Sequence, residues 1–248
     1  MGVIKLELSQ KITVRTSVSR ELDEVPKVEL ERLRARENRV KEGLITQKER
    51  DDFLFTKAHQ QFGKISPAFL RPFKPKGADP YLSFIVVFKG ELVMGEAGPY
   101  RQFFTDITRE LTPSYGLGLF IPSPNNKHQT GEFKSRWVIN PKANSSYHLS
   151  LFELIGTLMG CCLRTGAHLP IDLPLMFWKS ITEEHITDED LDEVDSQLTT
   201  LIDMLKNCPS PDDLYEATEA YGDPLTWSYK TCDEEEYDMI PNGRNTKV

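Results

Sequence analysis

The most restrictive feature of this 248-residue sequence is the apolar run from Leu149 to Leu163, whose only charged residue is Glu153. The run is shorter than the roughly 20 apolar residues that a membrane-spanning helix needs. We therefore predict a buried helix, near His148 to Arg164. Gly156 and Gly160 are four residues apart and share one face of that helix. We expect another backbone to pack closely on this face, because a glycine has no side chain to hold it off.

Helical patterns and turn signals surround this helix, and no internal repeat is present. The bridge at residues 67–80 is rich in proline and should be extended. The segment Thr112–Thr130, with three prolines and an Asn-Asn pair, is predicted to be a loop. We predict further helices within Lys27–Phe62 (two, interrupted at Gly43), at Pro99–Leu111, at Leu173–Ile181, and at 188–205 after a capping box that begins at Thr187.

Short β-branched and aromatic segments indicate strands. The tail of the chain suggests a hairpin that is followed by a tight turn at Asn242-Gly243. The predicted strands are Leu6–Val14, Tyr81–Phe88, Arg136–Ile139 and the hairpin arms Leu225–Lys230 and Tyr237–Ile240. The fold class that follows is α+β, mainly helical.

Acidic residues are concentrated near the carboxyl end. Residues 183–238 contain nineteen Asp or Glu and two Lys, a net charge of −17 in a chain of net charge −8. Two interpretations remain open, a solvated acidic face or a docking surface that attracts a basic partner. Binding of nucleic acid by this region is disfavoured, because phosphates would be repelled.

The four cysteines do not suggest a nucleophile or a metal site. Cys161 and Cys162 lie within the apolar run, which is typical of buried thiols. Cys232 is followed by four carboxylates, and Cys208 lies at a predicted helix end; both settings disfavour a thiolate. The five histidines are dispersed and form no zinc motif. We therefore predict no catalytic residue, no metal and no cofactor in this chain. With no signal peptide at the start, unpaired cysteines indicate a reducing compartment, and we expect the cytoplasm.

Five motifs occur in order between residues 84 and 248. They are the strand with Gly-Glu at 84–91, the glycine turn and Arg-Gln-Phe-Phe start at 98–104, the apolar helix at 148–160, Leu-Pro-Leu-Met-Phe-Trp-Lys at 173–179, and Asp-Met-Ile-Pro-Asn-Gly-Arg-Asn at 238–245. Together they resemble the amino-terminal lobe of HECT-type ubiquitin ligase domains. The long segment before the first of them is similar to the HERC branch. Gly95, Ala97 and Gln102 stand where the family usually has Asp, Gly and Glu.

The resemblance implies a division of the chain into three parts. Residues 1–80 would be an extension, 81–182 a large helical subdomain, and 183–248 a small, incomplete α/β-hairpin subdomain that docks a ubiquitin-conjugating enzyme. The family's apolar docking groove corresponds to Leu201, Leu205 and Leu225, with Trp227 nearby. The alternative for these four residues is that they are the ordinary core of a helix packed on a hairpin.

The family's activity implies partners and a limit on catalysis. The expected partners are a ubiquitin-conjugating enzyme, ubiquitin, and a substrate bound through regions outside this chain, with no nucleic acid and no membrane. The thioester-forming cysteine of the family lies in a further lobe after these motifs, so we expect this chain alone to be inactive. A non-catalytic scaffold or competitor with the same fold is the alternative. An independent hydrolase or metal enzyme is disfavoured, because the sequence shows neither a set of catalytic residues nor a metal-binding motif.

Overall fold

The computed structural model of the chain describes residues 25–32, 50–71, 81–92, 95–210, 213, 226–232 and 235–247. The chain forms two compact units that alternate along the sequence. The first unit is Met1–Leu119 with Ala143–Ile171, and the second is Phe120–Lys142 with Asp172–Val248. Helices predominate over short two-stranded sheets among the described residues, so the mainly helical α+β class is confirmed.

The elements are numbered here in chain order. They are β1 (Lys27–Leu30), α1 (Leu54–Phe62), β2 (Ile85–Phe88), α2 (Ala97–Leu111), β3 (Phe120–Pro122), α3 (Pro124–His128), β4 (Trp137–Ile139), α4 (Ser146–Thr165), α5 (Leu175–Thr182), α6 (Asp188–Asp192), α7 (Ser196–Asn207), β5 (Ser228–Lys230) and β6 (Glu236–Asp238), with 3-10 turns at Pro113–Tyr115 and Gly243–Asn245. The strands β1 and β2 pair in parallel, whereas β3–β4 and β5–β6 are antiparallel.

Aromatic side chains form the centre of the first unit. Phe84, which is fully buried just before β2, contacts the Tyr100 ring of α2 at a centroid distance of 4.8 Å and the Phe62 ring of α1 at 4.9 Å. Phe103 and Phe104 of α2 complete the cluster, mostly in edge-to-face geometry. Such pairs add to the free energy gained by burying apolar area. The cluster therefore fixes α1 and α2 against the parallel strand pair.

A single arginine connects three segments of the first unit. The Arg32 guanidinium, just after β1, forms an ion pair with Glu91 and a second one with Asp106 of α2 at 3.3 Å. It also lies over the Phe88 ring, 4.4 Å from the ring centroid. A planar guanidinium suits this combination of carboxylates and an aromatic face. Its hydrogen bonds to Glu91 keep the pKa of Arg32 above the ordinary value.

A buried glutamate holds the amino terminus of α1. The Glu110 carboxylate of α2 accepts hydrogen bonds from the backbone N–H groups of Leu54 and Phe55 at 3.0 and 2.8 Å. These are first-turn N–H groups that have no partner within the helix, and the helix dipole favours negative charge there. Burial outweighs these contacts and raises the pKa of Glu110 to about 7.

The long helix α4 buries only one side. Its buried residues are Leu151, Leu154, Ile155, Leu158, Cys161 and Cys162, which recur at the helical spacing of three and four residues. By length and composition this helix meets the criterion for a membrane span, the only one among the described residues to do so. The buried side lies in the core of the first unit, as predicted from the sequence.

The expected close packing at the glycine pair is wrong for the described part of the chain. A Cβ atom added to Gly156 or Gly160 would meet no atom within 4 Å. Both glycines lie on the side of α4 opposite to its buried residues, flanked by the exposed Leu149 and Leu163. The spacing of the glycines was identified correctly, but the sequence does not specify what covers them.

Three other predictions need correction. The segment Lys27–Leu30 is a strand rather than part of a helix; its alternating side chains point in and out, and β2 pairs with it from a distance in the sequence. The predicted loop 112–130 contains a 3-10 turn, β3 and α3, because β4 supplies a pairing partner. The predicted helix after Thr187 is two helices, α6 and α7. The predicted strand Leu6–Val14 and the break at Gly43 lie outside the described residues.

The second unit is larger than the small subdomain predicted from the family. It contains residues 183–248 but also β3, α3 and β4 and the helix α5. Two separate stretches of the chain therefore build it. The family-based boundaries at residues 80 and 182 stay predictions.

We expect Glu110 to make the stability of the chain depend on pH. Because the pKa of this carboxyl is raised from 4.5 to about 7 on folding, the folded state binds more protons than the unfolded state in that interval. Its contribution is therefore favourable at low pH and is lost as the pH rises through about 7. The loss over the whole interval from pH 4.5 to about 7 is on the order of 3 kcal/mol. Glu110→Gln should abolish it.

Urea unfolding of both proteins between pH 5 and 8 measures this effect. The free energy of unfolding of the natural chain, less that of the Gln variant, should decrease with pH. A difference that stays constant over this range would show that Glu110 is already ionised or already neutral throughout.

Candidate docking surface

A buried asparagine organises the second unit. Asn125 of α3 is fully buried. Its side-chain oxygen accepts hydrogen bonds from the backbone N–H and the hydroxyl of Ser196, both at 2.8 Å. Its amide nitrogen donates to the Asp192 carbonyl at 2.7 Å, and its backbone N–H donates to the Val194 carbonyl at 3.0 Å. The connection between α6 and α7 is thus held on α3 by one residue, through its side chain and its backbone.

A charged cluster joins β4 to the helices. Arg136, next to β4, forms ion pairs with Asp172 and with Glu193, the latter at 2.7 Å. The other oxygen of the buried Glu193 carboxylate accepts from the backbone N–H of Leu175, the first residue of α5, at 2.6 Å. Both carboxylate oxygens of Glu193 are therefore satisfied, which a buried charge requires.

Two caps separate α6 from α7. Asp190 of α6 accepts hydrogen bonds from the backbone N–H and the hydroxyl of Thr187 at 2.8 and 3.1 Å, as the predicted capping box requires for its acidic member. The Lys179 ammonium, 2.5 Å away, holds the pKa of Asp190 below its usual range. Asp195 then caps α7 by accepting from the Leu198 N–H at 3.0 Å. Because each carboxylate begins a new helix, the single helix predicted at 188–205 is divided into α6 and α7.

The helix α7 presents a row of leucines that are only partly covered. Leu198, Leu201 and Leu205 are spaced for one helix face. Leu201 is half-buried, while Leu198 and Leu205 are each 40% exposed. No residue of α7 is fully buried. The row is therefore an accessible apolar surface within the described part of the chain.

The strands β5 and β6 form a ribbon with one aromatic face. Tyr229 and Tyr237 are paired across the ribbon and their rings are stacked, with centroids 5.6 Å apart. Trp227 and Met239 extend this face by one position, and the Met239 N–H donates to the Trp227 carbonyl at 2.8 Å. All four side chains are exposed, from 39% for Trp227 to 61% for Met239. We call these four residues the aromatic face.

A glycine sets the geometry at the base of the ribbon. The Trp227 N–H donates to the carbonyls of Gly243 and Thr246, both at 3.1 Å. Gly243 is buried, and a Cβ atom added to it would lie 2.0 Å from the Trp227 carbonyl oxygen. Asn242, in the left-handed region with φ of 61°, makes the turn that precedes it. The tight turn predicted at Asn242-Gly243 is therefore confirmed.

Carboxylates surround the aromatic face. The Tyr237 hydroxyl donates to Glu235 at 3.0 Å, and Glu235 also pairs with Lys142 at 2.7 Å. Asp238 accepts from the backbone N–H and the guanidinium of Arg244, which together hold its pKa below the usual range. The Asp238 carboxylate therefore remains charged at neutral pH, next to exposed apolar side chains.

The described cysteines do not form a reactive centre. Cys161 and Cys162 are buried in α4, as predicted, and burial raises the pKa of the Cys162 thiol to about 12. A thiol in such surroundings stays protonated at neutral pH and is a poor nucleophile. Among the described residues, no group of three His, Cys, Asp or Glu is placed to hold a metal ion.

The four residues predicted from the family fall in different positions. Leu201 and Leu205 lie on α7 and Trp227 lies on the ribbon; each is at least partly exposed. Leu225 lies outside the described residues. Their assignment to a docking groove stays a prediction. The prediction omitted the rest of the aromatic face, although alternation on both sides of the hairpin, at 227 and 229 and at 237 and 239, was a signal for it.

Comparison with known proteins gives a consistent result. The HECT-domain (ubiquitin-transferase) family model matches residues 105–248. The chain is 27% identical over 212 residues to mouse E3 ubiquitin-protein ligase HERC2, 27% over 213 residues to the human protein of that name, and 26% over 209 residues to human probable E3 ubiquitin-protein ligase HECTD4. These alignments cover 85%, 85% and 78% of this chain. The chain spans 4% to 5% of the length of these relatives.

We predict that Gly243→Ala disrupts the base of the ribbon. The added methyl group would overlap the Trp227 carbonyl oxygen, so Trp227 must move and lose its hydrogen bonds. Overpacking of this kind costs typically about 1–3 kcal/mol. Hydrogen exchange of residues 226–247 should accelerate, while exchange in the first unit should not.

Gly98→Ala in α2 is the matched control, since an added Cβ there meets no atom within 4 Å. Unchanged exchange in the ribbon of the Gly243 variant would show that the backbone can move aside without loss of structure.

Proposed function

Because the chain belongs to the HECT-domain family of ubiquitin transferases, we propose that its second unit docks a ubiquitin-conjugating enzyme for ubiquitin transfer. The chain then represents the amino-terminal lobe of the HECT domain. The relatives that it matches bear the names of ubiquitin ligases, and HERC2 belongs to the HERC branch expected from the sequence. The thioester with ubiquitin would form on a cysteine outside these 248 residues.

The observation that carries this proposal is the amount of apolar surface left open in the second unit. The leucine row of α7 and the aromatic face of the ribbon are both accessible. Exposed aromatic and leucine side chains with a charged rim are typical of surfaces that bind another protein. Leu201, Leu205 and Trp227, which the family resemblance points to, belong to these two surfaces.

The charge of the region supports a basic partner. Residues 183–238 carry a net charge of −17, and carboxylates such as Glu235 and Asp238 lie beside the aromatic face. Opposite charge on the partner would accelerate association and orient the encounter, and salt would weaken the effect. Of the two interpretations of the acidic region, the docking surface agrees better with exposed apolar side chains at the same place.

We predict that the double variant Leu205→Ala, Trp227→Ala loses at least about tenfold in affinity for a ubiquitin-conjugating enzyme, because central aromatic and aliphatic anchors contribute most of the binding energy. Calorimetric titration of the natural chain against a panel of conjugating enzymes first identifies the partner and its dissociation constant. The variant is then titrated against that enzyme at two salt concentrations.

Leu92→Ala is the matched control, because Leu92 is fully exposed in the first unit. Loss of affinity in Leu92→Ala but not in the double variant would move the docking surface to the first unit. Equal affinity of all three proteins would refute the assignment of the leucine row and the aromatic face. Leu201→Ala combined with Leu225→Ala extends the test to the other two residues of the predicted groove.

We also predict that this chain alone accepts no ubiquitin as a thioester. Cys161 and Cys162 are buried, burial keeps the Cys162 thiol protonated at neutral pH, and Cys232 is followed by four carboxylates in the sequence. Incubation with activating enzyme, conjugating enzyme and ubiquitin, followed by a non-reducing gel, should show no adduct on the chain that a thiol reagent removes. Such an adduct would contradict the prediction, and replacement of each cysteine by serine would then identify the nucleophile.

The alternative function, a non-catalytic scaffold or competitor, makes a different prediction for a complete ligase reaction. A competitor lowers the rate when the isolated chain is added, and conjugating enzyme in excess restores the rate. The double variant should lose this inhibition as well, since it depends on the same docking surface.

A further inference from the structure

The turn at the base of the ribbon contains the only Asn-Gly pair of the sequence, Asn242-Gly243. Asparagine is a thermolabile residue, because the backbone nitrogen of the following residue can attack its side-chain amide carbon. A glycine in the following position favours this attack, since it has no side chain to obstruct the nitrogen. Asn242 is exposed to water. The sequence and the exposure together therefore indicate a chemically reactive pair.

We propose that Asn242 deamidates spontaneously, that the folded turn blocks the reaction until it opens, and that the isoaspartate product then keeps the turn open. In the reaction the Gly243 nitrogen loses its proton and bonds to the side-chain carbon of Asn242, which releases ammonia and leaves a five-membered cyclic imide. Water then opens the ring at either carbonyl. One product is aspartate, and the other is isoaspartate, in which the backbone runs through the former side chain.

The backbone angles of Asn242 prevent ring closure in the folded turn. With φ of 61° and ψ of 30°, the Gly243 nitrogen lies nearly opposite to the Asn242 Cβ atom across the Cα–C bond. A five-membered ring needs the nitrogen and Cβ on the same side of that bond. Because no rotamer of the side chain can correct this, the peptide plane after Asn242 must rotate before the imide can form.

Hydrogen bonds at both ends hold that peptide plane in place. The Gly243 N–H donates to the Ile240 carbonyl at 2.9 Å, so the attacking nitrogen keeps its proton. The Asn242 carbonyl accepts from the Asn245 N–H at 3.1 Å and from the Thr246 hydroxyl at 3.0 Å. The side-chain amide of Asn245 also donates to the side-chain oxygen of Asn242 at 2.7 Å. Rotation of the plane breaks the backbone contacts, so ring closure requires the turn to open.

The isoaspartate product does not fit this turn. It adds one carbon atom to the backbone before Gly243, which lies so close to Trp227 that an added Cβ would be 2.0 Å from the carbonyl oxygen. The Trp227 N–H donates to the Gly243 carbonyl at 3.1 Å, and a shift of Gly243 breaks this contact. Aspartate keeps the normal backbone and tolerates the left-handed region. Of the two products, isoaspartate is therefore the one that keeps the base of the ribbon open.

Mass spectrometry of the full chain during incubation at neutral pH measures the rate of deamidation at Asn242. We expect the folded chain to react at least about tenfold more slowly than the chain unfolded in guanidinium chloride, because the open turn is populated less than about a tenth of the time. A peptide of residues 240–246, incubated with and without guanidinium chloride, corrects for the effect of the denaturant itself. Equal rates in the folded and the unfolded chain, or no reaction in the unfolded chain, would overturn the proposal.

Asp238→Ala tests whether opening of the turn controls the rate. The Asp238 carboxylate accepts from the backbone N–H and the guanidinium of Arg244 at 2.8 and 3.1 Å, so its loss weakens the turn and leaves Asn242-Gly243 unaltered. The folded variant should react about threefold faster or more, whereas the unfolded variant should react at the natural rate. Leu92→Ala, at a fully exposed position of the first unit, is the matched control and should change neither rate. An unchanged rate in folded Asp238→Ala would refute control by opening.

The aged protein tests the effect of the product. The isoaspartate form of the full chain is separated by chromatography and identified by its enzymatic methylation. Hydrogen exchange of residues 226–247 should be faster in this form than in the natural chain. Asn242→Asp, which has the charge of the product on a normal backbone, should exchange like the natural chain. Equal exchange in all three proteins would show that the turn accommodates isoaspartate, and faster exchange in Asn242→Asp would assign the effect to charge; either result would contradict the proposal.

Discussion

The second unit depends on buried hydrogen bonds more than on apolar packing. Its buried apolar residues, among those described, are Phe120, Leu173 and Val194. Asn125 and Glu193 replace the missing core by binding backbone groups from three helices and the connection between them. A buried polar group that loses its partner costs about 1–3 kcal/mol, so these contacts select one arrangement of α5, α6 and α7. The leucine row stays exposed because it has no part in that arrangement.

The first unit, in contrast, depends mainly on apolar packing. Aromatic rings and the buried side of α4 supply its core, and charged contacts such as those of Arg32 and Glu110 connect helix and strand ends. The two units therefore differ in what an exposed apolar residue signifies. In the first unit it interrupts an otherwise well-buried pattern, as at Leu149 and Leu163 of α4. In the second unit apolar residues of α7 and the ribbon are exposed throughout, which is consistent with a surface that binds another protein.

Local signals predicted most of the elements. The apolar run gave α4, the capping box gave the start of α6, and the turn at Asn242 gave the end of the hairpin. The elements that depend on contacts between distant parts of the sequence were not predicted. The strand β1 pairs with β2, whose residues lie 58 positions away, and charged residues in the surrounding sequence favoured a helix. The separation of α7 from α6 depends on Asn125, which the sequence placed in a loop.

The candidate site was predicted only in part, and that part came from the family resemblance. Leu201, Leu205 and Trp227 were identified through the family and not through spacing, since leucines at helical intervals equally indicate a core. The structure adds that they are accessible, together with Tyr229, Tyr237 and Met239. Conversely, the glycine spacing in α4 was evident from the sequence alone, but the sequence does not show which atoms lie near those glycines.

The alternation of the two units along the chain affects how the protein emerges from the ribosome. Synthesis delivers β3, α3 and β4 before α4 is complete, so the first unit closes only after the beginning of the second has been made. Asn125 and Arg136 must then wait for Glu193 and Ser196, about 60 to 70 residues later. During the several seconds that this synthesis takes, Asn125 and Arg136 lack these partners, although β3 and β4 can already pair with each other. Chaperone binding during that interval would act on the second unit first.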